Sequence, residues 1–479
     1  MQNSILETKP LCVDLDGTLI ASDILYEGLF QLVKKKPFYF FLLPFWLLKG
    51  RAFLKSRIAE NIEFKVDFLP YNNEIIEYLQ SEKKTGRKII LATAASEILA
   101  NKIAEKIGLF DEVIASNGTN NLFGKMKLDV LVERFGNKGY DYIGNSLSDM
   151  HIWKGADKVL VVSTKKNFIQ EVEKKFKIDK LFYKPVKYLQ AFVMEIRVYQ
   201  WLKNLLIFLP ILLAHTLNPG LSVKALFAFI SFSLMASCVY IINDLVDLEA
   251  DRKHPTKRNR PFARGDLSIQ GGIFLSFNFF IISVVTSLVF QNVYFSFILI
   301  FYFILTTVYT FYFKKICVFD IIILASLYTI RIIAGGAALD VYLSPWLLAF
   351  SMFVFLSLAI LKRFSELKLL SNNNQTISEG RGYTTGDINL LLSIGPASGF
   401  MSVLVFVLYV NSKEVVRLYK SPELLWAIAP LILFWIIRIW FLAYRGKVHD
   451  DPVVFTIKDK RSYIIGLFIL ILVVGAALW

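Results

Sequence analysis

Asn243, Asp244, Asp247 and Asp251 close an apolar run, within the stretch IINDLVDLEADRKHPTKRNRP. The three aspartates are spaced three and four residues apart, a spacing that puts them on one face of a helix. Carboxylates at the end of an apolar helix are unfavourable unless a cation compensates them. Six Lys/Arg follow within residues 252–264 with no acid among them, Lys257, Arg258 and Arg260 included. Acids able to hold a divalent metal, followed by bases able to hold phosphates, form the arrangement expected where a diphosphate substrate chelates Mg2+. A basic stop-transfer loop at a cytoplasmic membrane edge accounts for the Lys/Arg. It does not account for the aligned aspartates.

Other candidate residues sit at the ends of apolar runs. IRVYQWLKN supplies Arg197, Gln200, Trp201, Lys203 and Asn204. YTFYFKKICVFD supplies Tyr309, Lys314 and Asp320. In LYTIRIIAGG, Arg331 lies inside an apolar run, where an ionised side chain is a functional candidate by default; the plain alternative is a structural pair with Asp320 or another acid. Gly335 and Gly336 suit close helix packing there. LKRFSELKLL gives Lys362 and Arg363, which can hold a phosphate, and Glu366, which can add a metal ligand. RGYTTGD gives Arg381, Tyr383 and Asp387. A snorkelling lysine is the plain alternative for Lys203.

The elements that position these residues are membrane spans. Of 479 residues, 55% are hydrophobic and 15% aromatic, only 19% are charged, and the net charge is nevertheless +15. A water-soluble chain has too little polar surface at this composition. The excess positive charge suits anionic lipid headgroups and phosphorylated substrates. Nucleic acid is the weaker reading and is not expected as a partner, because the bases are interspersed with apolar runs. Nine spans near the required length of about 20 residues are predicted at 201–215, 223–243, 270–290, 293–313, 318–338, 345–361, 388–410, 423–443 and 463–479. The loops 244–268, 314–317, 362–387 and 444–462 carry most of the Lys/Arg, although Lys413, Arg417 and Lys420 dilute the contrast. The positive-inside rule then places the N-terminal half and these loops in the cytoplasm and the C-terminus outside, with a bacterial inner membrane as the expected location. Cys12, Cys238 and Cys317 show no metal-ligand spacing and are expected to be small buried residues without disulfides. Residues 1–20 begin polar and show no signal peptide.

Composition changes near residue 185. A soluble α/β domain is expected at 1–185, with an insertion at about 23–69, and an all-α polytopic membrane domain at 186–479. In the membrane half, NDLVDLEAD matches the NDxxDxxxD motif of the UbiA superfamily of intramembrane prenyltransferases. The second acidic loop of that family usually reads DxxxD, and KRFSE stands in its place here. The chain therefore resembles the polyprenyl-phosphate phosphoribosyltransferases, of the decaprenylphosphoryl-5-phosphoribose synthase type. The shared features are QWxKN, NDxxDxxxDxxHPTKRxRP, RxIAGG and KRxxE, across residues 195–479.

That resemblance implies phosphoribosyl pyrophosphate as donor and a polyprenyl phosphate as acceptor. Asp244, Asp247 and Asp251 would hold Mg2+ on the leaving diphosphate, with Glu366 as a further candidate ligand. Lys257, Arg258 and Arg260 would bind the donor's phosphates, and Lys203, Asn204, Asn243 and Arg331 are further substrate-binding candidates. Lys362 and Arg363 would hold either the ribose 5-phosphate or the lipid phosphate, and the sequence leaves that choice open. Loss of pyrophosphate leaves positive character on the ribose C1, as in other glycosyl transfers.

In the soluble half, LCVDLDGTL carries an apolar strand into Asp14, Asp16, Gly17 and Thr18. This DxDGT motif, with Thr93 closing IILATAAS, Lys127 in KLDVLVERFG, and Asn145 and Asp149 in YIGNSLSD, resembles the haloacid-dehalogenase-like phosphatases over about residues 8–180. The resemblance implies a Rossmann-type parallel sheet with a helical cap. It makes Asp14 the nucleophile and Asp16 the acid and base. Thr93 and Lys127, with Lys125 as fallback, would bind the phosphoryl oxygens. Asp14, the Asp16 carbonyl, Asp149 and Asn145 would hold a second Mg2+. Asn145 departs from the Asp usual there and removes one charge, so a domain that only binds phosphate or scaffolds is the alternative. The insertion LFQLVKKKPFYFFLLPFWLLKGRAFLK is too short to span a bilayer. It is expected to lie in the membrane interface, or else to pack on the core as a cap helix.

The fusion suggests consecutive steps of cell-wall precursor synthesis: formation of a polyprenyl phosphoribose 5-phosphate, then removal of the 5-phosphate. Three other functions fit parts of the pattern. One is a UbiA-type transfer of a prenyl group from prenyl diphosphate to an aromatic or other acceptor, with a regulatory or degenerate phosphatase domain. Another is a transporter or flippase, and the last is an N-terminal docking module. Transport pathways place polar groups along several spans, whereas the charges here gather in loops.

Overall fold

A computed structural model describes residues 8–213, 218–254, 256–372, 381–412, 415, 419–448 and 451–478. Pro255, Lys413, Arg417, the end of the first predicted span at 214–215, and residues 373–380 of the third charged loop lie outside them. The chain forms two compact units. One comprises Met1–Ile196 with Tyr240–Ser276, and the other Arg197–Val239 with Phe277–Trp479.

The first unit is built on six parallel strands: β1 (Leu11–Val13), β2 (Ile89–Ser96), β3 (Glu112–Ser116), β4 (Asp141–Gly144), β5 (Val159–Ser163) and β6 (Lys180–Tyr183). Their order is β3-β2-β1-β4-β5-β6. Leu11 is in register with Ile89 on one side and Asp141 on the other. The central strands read as continuous apolar runs because helices cover both faces, and β1, β4 and β5 are buried throughout. The order turns back at β1, between β2 and β4, so the crevice for a ligand opens at the carboxyl ends of these strands.

Within the insertion, α1 (Ile24–Lys35) starts at Asp23, whose carboxylate accepts from the Leu25 and Tyr26 amides. Ile24 and Leu32 of α1, and Leu54 and Ile58 of the helix Arg51–Asn61, join the core beside the sheet. Between them, Pro37–Leu42 and Leu43–Leu48 bury nothing. Phe38 is 82% exposed, Phe41 69%, Phe45 63% and Leu48 85%. The flanks of the insertion pack as a cap, and the tip joins them only through partly buried Tyr39, Leu43 and Trp46, leaving its other apolar side chains exposed.

Among the described residues eight helices are long and apolar enough to cross a membrane: Pro219–Val246, Ile269–Phe290, Val293–Phe311, Phe319–Leu339, Pro345–Asn372, Thr385–Val410, Pro422–Tyr444 and Lys460–Leu478. The broken pair Tyr188–Glu195 and Val198–Leu213 makes a ninth if counted as one span. The chain is a multi-pass membrane protein. In the second unit Phe319–Leu339 is central, with 72% of its apolar window buried, against 11% for Lys460–Leu478. A Cβ on Gly335 would lie 2.2 Å from the Ile207 carbonyl oxygen, so glycine there lets the run Val198–Phe208 pack against this helix. Polar side chains join the spans: Ser357 donates to the Gly395 carbonyl at 2.7 Å and accepts from Trp440 Nε1 at 3.0 Å. Lipid supplies no hydrophobic drive between helices, so such bonds and close backbone approach hold them together.

Cys12 and Cys238 are buried as expected, but Cys317 is exposed. The helix begins only at Phe319, which leaves Cys317 in the turn ahead of it.

Candidate functional site

The acidic motif lies in the first unit, and its three aspartates do not share one helix face. Helix Pro219–Val246 stops before Asp247, and the next helix is Leu248–Lys253. Asp244 and Asp251 converge on one nitrogen of Arg260, at 2.8 and 2.6 Å. Asp247 instead accepts from Lys34 of α1 at 2.7 Å, and Lys34 also donates to the Val246 carbonyl at 3.2 Å. Arg252 grips Glu27 of α1 through two bonds, at 2.7 and 2.8 Å, and both side chains are almost wholly buried. Gln270 donates to Asp23 at 3.1 Å. Burial raises Asp251 above the usual carboxylate range, with Arg260 pulling the other way. Asn243 lies in the last turns of the first of these helices. Lys257 and Arg258 lie in the short helix Lys257–Asn259, Arg258 in water.

In the second unit the predicted bases form two clusters. Lys203 and Lys362 both donate to one oxygen of Asp451, at 2.7 and 3.2 Å, with the Tyr328 hydroxyl 3.4 Å from the other oxygen. Burial raises the Asp451 carboxyl, but Lys362 and Lys203 more than offset this and hold it well below its ordinary value. Asn204 accepts from Arg331 at 2.8 Å and donates to Ser233 at 2.9 Å. Trp201 donates to Ser237 at 2.9 Å. The Arg331 guanidinium also reaches the Tyr302 hydroxyl and lies over the Phe232, Tyr302 and Tyr328 rings. Cation–π contacts of this kind stabilise a charge withdrawn from water. The acid expected for Arg331, Asp320, is gripped by Arg363 at 2.5 and 2.9 Å and approached by Arg381. Glu366 pairs with Arg363 at 2.6 Å and Arg381 at 3.6 Å, so ligating a metal would require it to leave two guanidinium groups.

The third constellation surrounds the carboxyl end of β1. Asp14 accepts from Lys127 at 2.7 Å; Lys127 also reaches the Tyr142 hydroxyl at 3.0 Å, which donates to Asp149 at 3.0 Å. Lys127 is buried and Lys125 exposed, so the fallback is not needed. Asp149 accepts from the Asn145 and Ser146 amides at 3.0 and 2.9 Å. Thr18 donates to the Asn145 side chain at 3.2 Å. Gly17 holds a left-handed φ of 74°, which turns the chain directly after Asp16. Thr93 is fully buried and caps the Ala95 amide at 3.0 Å.

Burial pushes Asp14 up to about 6 even though Lys127 lowers it. Asp16, which accepts from the Ile24 amide at 2.9 Å, is raised well above its ordinary value by burial and by Asp23. Burial thus raises both carboxyls, with Lys127 opposing the rise at Asp14 and Asp23 adding to it at Asp16. Lys55 was not predicted. It stands on the cap helix Arg51–Asn61 and donates to the Ala94 carbonyl and to Asn121, at 2.6 and 2.9 Å. Burial lowers it, while Asp16 and Asp23 pull it back up. Asp451 was missed as well. The only sequence signal for either was a charged residue in a stretch whose other features drew attention.

The fit of these residues to a hard divalent cation follows from their donors. Asp244 and Asp251 already share one cationic nitrogen, and carboxylate oxygens are the ligands Mg2+ prefers. Among the described residues no three His, Cys, Asp or Glu side chains close on a single point, because basic partners part the acids. The donor chemistry fits, provided those bases turn to an anionic substrate as the metal enters.

A multi-pass helical membrane protein with an acid-and-base loop, joined to an α/β domain of phosphohydrolase type, is the class that fold and sites define. Residues 205–458 match the UbiA prenyltransferase family, and the chain belongs to that family. Its N-terminal domain is haloacid dehalogenase-like, with residues 11–153 matching that hydrolase family. The uncharacterized protein y4nM of Sinorhizobium fredii is 36% identical over 96% of this chain and 89% of its own, so the fused arrangement recurs there. A decaprenyl-phosphate phosphoribosyltransferase of Mycolicibacterium smegmatis is 29% identical over 59% of this chain and 91% of its own. A solved UbiA homologue from Archaeoglobus fulgidus, bound to GPP and Mg2+, is 16% identical over 60% of this chain and 99% of its own, with a TM-score of 0.46.

Proposed function

We propose that the membrane half transfers a 5-phosphoribosyl group from phosphoribosyl pyrophosphate to a polyprenyl phosphate, and that the N-terminal domain removes the 5-phosphate from the product. The observation that carries the first step is the acid–base loop, in which Asp244 and Asp251 converge on Arg260. The named mycobacterial relative supports the substrates.

In transfer, an oxygen of the lipid phosphate attacks the ribose C1 and the C1–oxygen bond to pyrophosphate breaks. The acceptor is already anionic and needs no base. Asp244, Asp247 and Asp251 would hold Mg2+, which when bound stabilises negative charge on the leaving group. Lys257, Arg258 and Arg260 would bind the diphosphate; in the second unit Lys203 and Lys362 are candidates for a further phosphate, and Arg363 is one only if it leaves Asp320 and Glu366. Asn204 positions Arg331, whose charge cannot be titrated away.

In the second step the ionised Asp14 attacks phosphorus, and Asp16, raised towards its protonated form, gives its proton to the departing ribose 5-oxygen. Asp16 then takes a proton from the water that hydrolyses the aspartyl-phosphate. Lys127 and Thr93 hold the phosphoryl oxygens. Asp14, Asp149, Asn145 and the Asp16 carbonyl would hold a second Mg2+, which neutralises the phosphoryl charge when bound.

The N-terminal domain and the basic loops face the cytoplasm of a bacterial inner membrane, with the C-terminus outside. The exposed apolar tip Pro37–Leu48 lies in the lipid interface. Lys34, three residues ahead of it, is bonded to the last carbonyl of the span Pro219–Val246, which supports a tip at headgroup level.

The test uses purified full-length protein, Mg2+, polyprenyl phosphate and ribose-labelled phosphoribosyl pyrophosphate. Label should enter the lipid fraction with wild type and not with Asp247→Ala. Asp14→Asn should accumulate the phosphorylated lipid. An unlabelled lipid fraction from folded wild type, with pyrophosphate released from a prenyl diphosphate instead, would refute the assignment.

A further inference from the structure

We propose that Lys34, on the cap insertion of the phosphatase-like domain, is a diphosphate-binding residue of the transferase's acidic loop. This rests on the reading of Asp244, Asp247 and Asp251 as the donor's metal–diphosphate site. Both α1 and the loop belong to the first unit. Lys34 occupies Asp247 at 2.7 Å and the Val246 carbonyl at 3.2 Å. An ammonium has three N–H donors, so these two bonds leave one over. When a divalent cation takes the Asp247 oxygen, the ammonium keeps its carbonyl anchor and has two donors for an anion held by that cation.

The geometry keeps α1 beside the loop. Two buried hydrogen bonds between Arg252 and Glu27 fix α1 to the loop two turns earlier, and Gln270 on Asp23 fixes its start. Gln31 lies between Glu27 and Lys34 on the same helix face. Its amide oxygen is buried with no hydrogen-bond partner, an acceptor that a solvated ligand would satisfy. Lysine is also the right chemistry, because a compact ammonium serves phosphates as a point charge without a fixed fork geometry. The phosphatase-like domain thus contributes a charge to the transferase site, beyond any chemistry of its own.

The experiment is calorimetric binding to full-length protein in detergent, with Mg2+ alone and then with inorganic pyrophosphate at saturating Mg2+. Lys34→Ala should weaken pyrophosphate about tenfold, the loss expected for one charge-assisted hydrogen bond. It should bind Mg2+ alone at least as tightly as wild type, since a competitor for Asp247 has gone. Lys34→Arg should recover pyrophosphate binding. If Lys34→Ala binds Mg2+–pyrophosphate like wild type while Asp247→Asn does not, the role of Lys34 is overturned and the donor site stands. If wild type binds no Mg2+–pyrophosphate, the donor-site reading itself falls.

Discussion

Replacing Asp451 by Asn tests whether Lys203 and Lys362 form an anion site. One oxygen of Asp451 accepts from both lysines, at 2.7 and 3.2 Å. The two ammonium groups therefore lie within about 6 Å of each other, where like charges repel by about 3 kcal/mol at an effective dielectric near 20. Water relieves only part of this, because the Lys203 and Asp451 side chains are 9% and 12% exposed and that of Lys362 29%. Asparagine keeps the shape and one acceptor but removes the neutralising charge. Without substrate, Asp451→Asn should lose about 3 kcal/mol, a melting point lower by about 5–10 °C in a domain of this size. Inorganic phosphate should then raise the variant's melting point more than that of wild type, because no carboxylate competes for the lysines and binding to the folded state stabilises it. The assay is thermal unfolding of full-length protein in detergent across a phosphate titration. A variant that melts with wild type, or an equal response of both proteins to phosphate, refutes the argument.

The nucleophile of the soluble half should leave a signature in stability. Asp14 is raised from 3.8 to about 6, so its folded state binds the proton more tightly than the unfolded chain. It contributes stability that is complete below about pH 4 and lost as pH rises through about 6, amounting to about 3 kcal/mol. In chelator, the stability difference between wild type and Asp14→Asn should fall across that window, and a flat difference would count against burial as the cause. The apolar tip makes a separate prediction. A dye on Phe41→Cys in full-length protein, reconstituted in anionic nanodiscs, should be quenched by spin-labelled lipid while one on Lys174→Cys is not. Equal quenching at the two positions would place the tip outside the interface.

What the sequence displayed well were features that depend on neighbours along the chain. Apolar runs of span length became helices because backbone groups in lipid must bond within their own segment. The DxDGT turn and the later strand ends reached one crevice because a parallel sheet brings its carboxyl edges together. Helical spacing failed at Asp247. Periodicity assumes one continuous helix, and here the helix stops where the membrane span ends, so that Asp247 meets Lys34 while Asp244 and Asp251 share Arg260.

The features it hid depend on charge compensation at long range. Asp451 finds Lys203 across 248 positions and Lys362 across 89, and no spacing rule connects them. Lys55 is similar, reaching Asn121 across 66 positions from the end of the insertion. Arg331 shows the same limit from the other side. Burial demanded compensation for its charge, and the sequence offered Asp320 or another acid. The structure commits Asp320 to Arg363 and surrounds Arg331 with Asn204, Tyr302 and aromatic faces. A buried charge thus announces that partners exist, because leaving it uncompensated is too unfavourable. Which partners satisfy it is settled by packing. The assignment bears on the proposed function, since a phosphate bound by Lys203 and Lys362 would have to displace or share Asp451.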